Sequence, residues 1–446
     1  VIFIAPHFPA NQRNFVRALK EIGCRVTGIV DSPIQYVDAE TKSYLDDYEE
    51  VPSVTSLEAV TQAVRKIQKR GPWVHYLEAA IEAHVLVCSK VREFCGIPGL
   101  PHAVTELCRD KVIMKKFLRD RGFPVARDAA IDNANDARKS AKHIGFPLIL
   151  KPRSGAGASG TYRIDNQKQL ESVIAELNLE KGKSHCTMEQ FLTGHEGFFD
   201  TITHNGQVVF ESISHYYPNV LTAMRTRDVA PQIAVTNRVE TDSYKELRFF
   251  GRKVIQTMGI TTSATHMEWF FGNEGLKFSE IACRPPGVGV WDLFSAINDI
   301  DLYKMWANII TVGKVYQKPS RRFAGGMISL RPNKDGHVSG YTGVEEINKR
   351  YGSHIVKAYL PPVGKKTQPI EAGYRANAWM FVRHPDYDQL RHIMDDIGNT
   401  LYSIQNSSNG AGSYMVDANL KAALSILPRL GKWGNLSFVI QFDELM

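Results

Sequence analysis

The sequence predicts a mixed chain, α/β at its start and α+β thereafter. Three observations carry this: a β-α-β rhythm opens the chain, antiparallel hairpin candidates fill its middle, and 446 residues allow about three domains. Val1-Ile2-Phe3-Ile4-Ala5 is an apolar run read as a buried strand, followed by a Pro-rich turn, a helical pattern over 12–22 and a second apolar run over 25–30. That order is the start of a parallel sheet. A further strand is expected at 74–77 and a helix over 81–94, stopped by Gly96-Ile97-Pro98-Gly99. Helices follow at 110–121 and 134–143, each closed by a Gly-Phe-Pro triplet, then a short strand at 148–151. A Gly/Ser loop leads to an extended segment at 161–164 and a helix over 167–177. Segments 187–192, 198–204 and 208–215 read as antiparallel strands, the last two joined by Asn205-Gly206. An amphipathic helix at 244–258 precedes a hairpin candidate, 266–271 with 276–283, and one long helix over 291–311. From about 320 the chain turns to mixed strands and a helix over 387–397, and its last forty residues, opened by an Asn/Ser/Gly linker, carry no readable pattern.

Composition narrows the function. The chain is 43% hydrophobic and 23% charged, with a net charge of +7 too diffuse for a nucleic-acid arm but suited to an anionic small molecule. Neither nucleic acid nor a membrane is expected as a partner, because no apolar run approaches the length of a transmembrane helix. Six scattered cysteines without C-x-x-C spacing argue for reduced thiols in a cytoplasmic protein rather than for zinc. A chain beginning at Val1 without Met is expected to lack a few upstream residues.

Three constellations carry chemistry. Gly155-Ala156-Gly157-Ala158-Ser159-Gly160 satisfies G-x-G-x-x-G, but the β-prone residues after it do not open the helix that a dinucleotide site requires. Lys151, ending an apolar strand just before the glycines, points instead to a phosphate under a backbone flap. A plain solvent loop would also account for the glycines. Glu189 and Glu196 could accept hydrogen bonds from an adenine amine and ribose hydroxyls, or be an ordinary strand-end charge pair. For the hairpin, a three-residue loop at 273–275 with Gly275 left-handed would pair Gly272 with Leu276 and set Glu268 opposite Glu280. Like charges across a strand pair repel, and oxygen-only ligands beside phosphates favour magnesium; a set of surface salt bridges would be the plainer account. Arg284 stands ready to neutralise a phosphoryl group in transfer. Cys283 alternates away from Glu280 and reads as a packed thiol.

These residues, in this order, resemble the ATP-grasp superfamily of carboxylate–amine ligases over residues 1 to 404. The resemblance implies a Rossmann-like pre-ATP-grasp domain (1–105), a split ATP-grasp core (106–315) and a mixed α+β lid (316–404) like that of biotin carboxylases, with 405–446 unassigned. It implies that Lys111 and Lys151 bind phosphate beneath the flap of Gly155, Gly157, Ser159 and Gly160. Glu189, Phe191 and Leu192 would line the adenine, Glu196 would bind ribose, Glu268 and Glu280 would hold Mg2+ (Mn2+ as substitute), and Arg284 with Lys151 would be catalytic. ATP would drive amide formation between a small carboxylate, an amino acid, and an amine through an acyl phosphate, releasing ADP and phosphate. A homodimer is implied as well. His215, Arg225 and Arg227 lie where the acceptor pocket of such enzymes forms, and either arginine could grip a carboxylate or be a solvated loop charge. Two departures stand out. Ala282 replaces the family's usual Asn or Asp ligand, and Val288 stands where biotin carboxylases carry a base glutamate. Biotin carboxylation is therefore disfavoured, while a purine-pathway ligase and a non-catalytic ATP-binding protein stay open beside the amide-forming ligase.

Overall fold

A computed structural model describes residues 1–154, 160–182, 184–287 and 289–406. The expected flap residues Gly155, Gly157 and Ser159, together with Val288 and residues 407–446, lie outside the described residues. The described residues form two compact units: 1–212 with 240–291 and 300–319, and 213–239 with 292–299 and 320–406.

The first unit opens with a four-stranded parallel sheet in the order Asp47–Glu50, Thr27–Val30, Ile2–Ile4, Leu77–Glu78. Ile2, Phe3 and Ile4 are wholly buried, as a strand covered on both faces requires. Helices Arg13–Glu21, Leu57–Arg70 and Val85–Cys95 accompany this sheet. The strand at 47–50 and the helix at 57–70 escape the sequence reading, and the helix expected from 81 begins only at Val85.

A second, antiparallel sheet of the same unit runs in the order Asp128–Ile131, Cys186–Gln190, Leu148–Pro152, Tyr162–Ile164. Helices Ala134–Ile144 and Gln167–Glu176 close its core, where Ile131, Leu148, Leu150, Ile164, Leu170 and Met188 are buried. Both helices start on an asparagine whose side chain accepts from the third backbone N–H beyond it. The unit's third layer holds the long strands His195–His204, Ser263–Gly272 and Gly275–Ala282, paired antiparallel in that order.

The predicted helix over 291–311 is two helices, Val290–Asn298 and Leu302–Val312. Asp299 takes a left-handed conformation (φ 53°), and Asp301 caps the second helix by accepting from the Lys304 backbone N–H. Helical periodicity runs through the break and hides it.

The second unit pairs Gln232–Val235, Ala324–Leu330, Ala378–His384 and Ile355–Tyr359 antiparallel, with helix Tyr387–Thr400 packed on them. Gly326 lies under Met394, and an added Cβ would collide with its sulfur. All six cysteines are free thiols, and no helix of the described residues is long and apolar enough to cross a membrane.

Burial leaves several polar atoms of the first unit without a hydrogen-bond partner among the described residues, histidine nitrogens included. His84, which precedes helix Val85–Cys95, is 8% exposed, and its Nδ1 has no hydrogen-bond partner among the described residues. Burial pulls its pKa below the ordinary value, and Asp31 opposes only in part. The unfolded chain thus binds the proton more readily, so stability is full above about pH 6.5 and is lost as pH falls through the folded-state value. Urea denaturation should show stability falling from pH 7 to 5, with a shallower slope in His84→Gln; an unchanged slope would contradict this assignment.

Candidate active site

The site is built in the first unit from one helix, two strands of the small sheet and the long hairpin. Arg109-Asp110-Lys111 starts the helix Lys111–Arg119: the Asp110 carboxylate accepts from the backbone N–H groups of Val112 and Ile113 and pairs with Arg153 at 2.8 Å. The cap fixes where the helix begins. Lys111 and Lys115, four residues apart, therefore share one helix face. Lys111 Nζ lies 3.0 Å from Glu280 Oε2, and Lys115 Nζ lies 2.5 Å from Glu189 Oε1.

Lys151 reaches the same carboxylate from the sheet. Ile149 pairs with Glu189 across the strands, so Lys151, two residues on, projects from the same face and places Nζ 3.0 Å from Glu189 Oε2. Burial alone would depress the Lys151 ammonium, but Glu189 and Glu280 outweigh it and hold its pKa above the ordinary value. At Lys115 burial prevails over Glu189, and the pKa comes down to about 8. Glu189 is held below the usual carboxylate range, burial being overcome by Lys115 and Lys151. Both oxygens of Glu189 thus face ammoniums, and an adenine amine would have to compete for them. Phe191 and Leu192 follow the strand rather than end it, and the Arg163 guanidinium stacks over the Phe191 ring at 4.3 Å.

The hairpin sets Glu268 opposite Glu280, but by a different register from the one expected. Gly272 pairs with Gly275, not Leu276, so the turn is one residue tighter. A bulge between Glu268 and Trp269 then leaves Ser279 without a partner and restores the glutamate pairing. Repulsion between the two is relieved locally: Lys111 and Lys151 overcome burial and bring the Glu280 pKa to about 2. His266 donates from Nδ1 to Asp200 at 2.7 Å, and its Nε2 lies 3.7 Å from Glu268. Burial would neutralise this imidazole, but Asp200 raises its pKa to about 9. A divalent cation is therefore not the only remedy for the glutamate pair.

Glu196 is buried on the strand His195–His204, paired with Phe270, and Gly194 before it is forced: at φ 114° an added Cβ would collide with the Phe271 carbonyl oxygen. Gly160 is left-handed (φ 66°). Arg284 bonds the Glu82 carboxylate, which Arg109 meets from the other side at 3.3 Å. Cys283 is buried with its sulfur 3.0 Å from that of Cys108, so it packs in the core; Trp269 is buried likewise. Ala282 ends the strand and offers no ligand.

His215, Arg225 and Arg227 belong to the second unit. His215 is buried near the rings of Tyr217 and Tyr387, and Arg225 is exposed. Arg227 pairs with Asp335 at 2.6 Å and lines a cavity of about 290 Å³ together with Tyr217, Gln232, Arg331 and Asp395. Lys115, Glu82, Asp200 and His266 are the first-unit residues that sequence reasoning missed. For Lys115 the signal was available in its four-residue spacing from Lys111; for Glu82 it was not, since its partners lie far away in the chain.

Comparison with known proteins finds similar chains. Residues 116–298 match the ATP-grasp domain family. The chain is 28% identical to an L-arginine-specific L-amino acid ligase of Bacillus subtilis over 312 residues, 68% of this chain and 73% of that one. It is 23% identical to an alanine–anticapsin ligase of Bacillus subtilis over 263 residues, spanning about half of each (53% and 54%). The crystal structure of an L-amino acid ligase from Bacillus licheniformis superposes with a TM-score of 0.71 at 18% identity, covering 91% of this chain and 98% of that one.

Replacing Asp110 by Ala removes the helix cap and the partner of Arg153. The expected loss is about 1–2 kcal/mol in urea denaturation; a loss within error of zero would show that the cap does not anchor Lys111.

Proposed function

On the premise that this chain is an ATP-grasp protein, we propose that it is an ATP-dependent ligase joining an amino acid, or a similar small carboxylate, to an amine. The observation that carries this reading is the pair of facing glutamates, Glu268 and Glu280, with Lys111 on Glu280 and Lys151, held on Glu189, within the field of both. Two amino-acid ligases among its relatives support an amino acid as the acid component.

The donor set fits magnesium. Glu268 and Glu280 supply oxygens from adjacent strands, and the described residues hold no group of three or more His, Cys, Asp or Glu arranged for a metal. Such a site suits a cation that completes its shell with phosphate oxygens and water. When bound, magnesium would neutralise phosphate charge; every other role falls to the chain. Lys111 and Lys151 would exchange glutamate oxygens for phosphate oxygens and orient the triphosphate for attack by the substrate carboxylate. That attack transfers the γ-phosphoryl group, giving an acyl phosphate and ADP. The amine then displaces phosphate, and an amide forms. Arg284, fixed by Glu82, would stabilise the charge in transfer. Glu196, Phe191 and Leu192 would take the nucleoside. No protein nucleophile is required.

ADP release should be measured with Mg-ATP and paired amino acids, with mass spectrometry of the products. One pair is expected to yield ADP and a product one water lighter than its summed substrates; ATP binding without turnover on any pair would oppose the ligase reading. Glu280→Gln should abolish magnesium-dependent turnover with the circular dichroism spectrum retained, and turnover that survives would remove Glu280 from the metal site. Lys151→Ala should weaken ATP binding about tenfold or more; unchanged affinity would remove it from the phosphate site.

A further inference from the structure

One lysine of the site cannot touch any ligand. Lys115 is 1% exposed in the body of the helix Lys111–Arg119, yet its ammonium sits 2.5 Å from Glu189 Oε1. The contact is bent away from hydrogen-bond geometry, so it is a charge contact. The other oxygen of the same carboxylate faces Lys151, whose side chain retains 15% exposure; the fields of Asp128 and Glu280 also reach Lys115, but Asp128 is held by Arg119 and Glu280 by Lys111. One buried carboxylate is thus shared between an accessible ammonium and an inaccessible one.

We propose that Lys115 is a positioning residue of the nucleotide site: it keeps Glu189 neutralised when Lys151 turns from that carboxylate to a phosphate oxygen. This rests on the ATP reading above and adds a residue to it. The physical reason is the cost of a bare buried charge. Were Lys151 the sole partner of Glu189, its departure would leave a carboxylate that is 5% exposed without a counter-ion, and phosphate would have to compete with Glu189 for it. With Lys115 in place the exchange leaves no orphan. Because Lys115 lies on the face that carries Lys111, the helix that directs one ammonium to Glu280 also compensates the partner of the other.

The test is calorimetric titration of Mg-ATP into the full chain, with thermal melts as a check on folding. Lys115→Met should bind Mg-ATP about tenfold or more weakly, since Glu189 then holds Lys151 alone. In a Glu189→Gln background the same Lys115→Met change should cost less than about threefold, since no carboxylate remains there to hold Lys151. A role in packing alone would cost as much in that background as in the parent, and that result overturns the proposal, as does unchanged affinity in Lys115→Met. Should the single variant fail to fold, the pair in the Glu189→Gln background still decides: a folded double variant that binds Mg-ATP about tenfold more weakly than Glu189→Gln refutes the proposal. If the parent protein does not bind Mg-ATP at all, the ATP reading has failed, a result distinct from either.

Discussion

Everything in the first unit's site depends on buried ammoniums and carboxylates that neutralise one another before any ligand arrives. Lys111 meets Glu280, Lys151 and Lys115 meet Glu189, and His266 lies between Asp200 and Glu268. Breaking one such pair typically costs about 3–5 kcal/mol, because a charge is left uncompensated in a poor solvent. The arrangement therefore constrains the elements that hold it: the Asp110 cap, the strand carrying Lys151, the bulge before Glu280 and the forced glycine at 194. It also sets what a ligand must bring. Under the proposed function a triphosphate would supply oxygens in place of the glutamates as partners of Lys111 and Lys151, a divalent cation would compensate Glu280, and Lys115 would compensate Glu189.

Arg284 follows the same logic on a smaller scale. Its guanidinium is tied to Glu82, which Arg109 also meets, so two arginines share one carboxylate beside the hairpin. Under the proposed function such a shared pair would keep the arginine oriented toward a phosphoryl group in transfer. The packed sulfurs of Cys108 and Cys283 lie one residue from Arg109 and Arg284 in the chain, so a close core contact anchors both arginines.

Local patterns were legible in the sequence where one element sufficed. The opening strand and helix, the Gly-Phe-Pro ends of two later helices, and the facing of Glu268 and Glu280 all follow from periodicity and turn chemistry. The glutamate pairing shows how a correct outcome can rest on two offsetting details: the turn is one residue tighter than expected, and the bulge at Ser279 takes up the difference. A bulge leaves no mark in alternation that a single sequence reveals. The break near Asp301 was hidden because both helices it separates bury the same kind of apolar face. Glu82 and Asp200 were illegible for another reason: each gains its meaning from a partner more than sixty residues away. His215 and Arg227 are settled locally in the second unit, Arg227 by Asp335, and their part in substrate binding remains a proposal.

The central claim is that the ammoniums of Lys111 and Lys151 exchange glutamate for phosphate. A crystal structure with magnesium and a non-hydrolysable ATP analogue tests it most directly. The account requires both ammoniums within hydrogen-bond distance of phosphate oxygens, a cation shared by Glu268 and Glu280, and Glu189 still in contact with Lys115. Phosphates bound elsewhere, with Lys111 still on Glu280 and Lys151 still on Glu189, would contradict it.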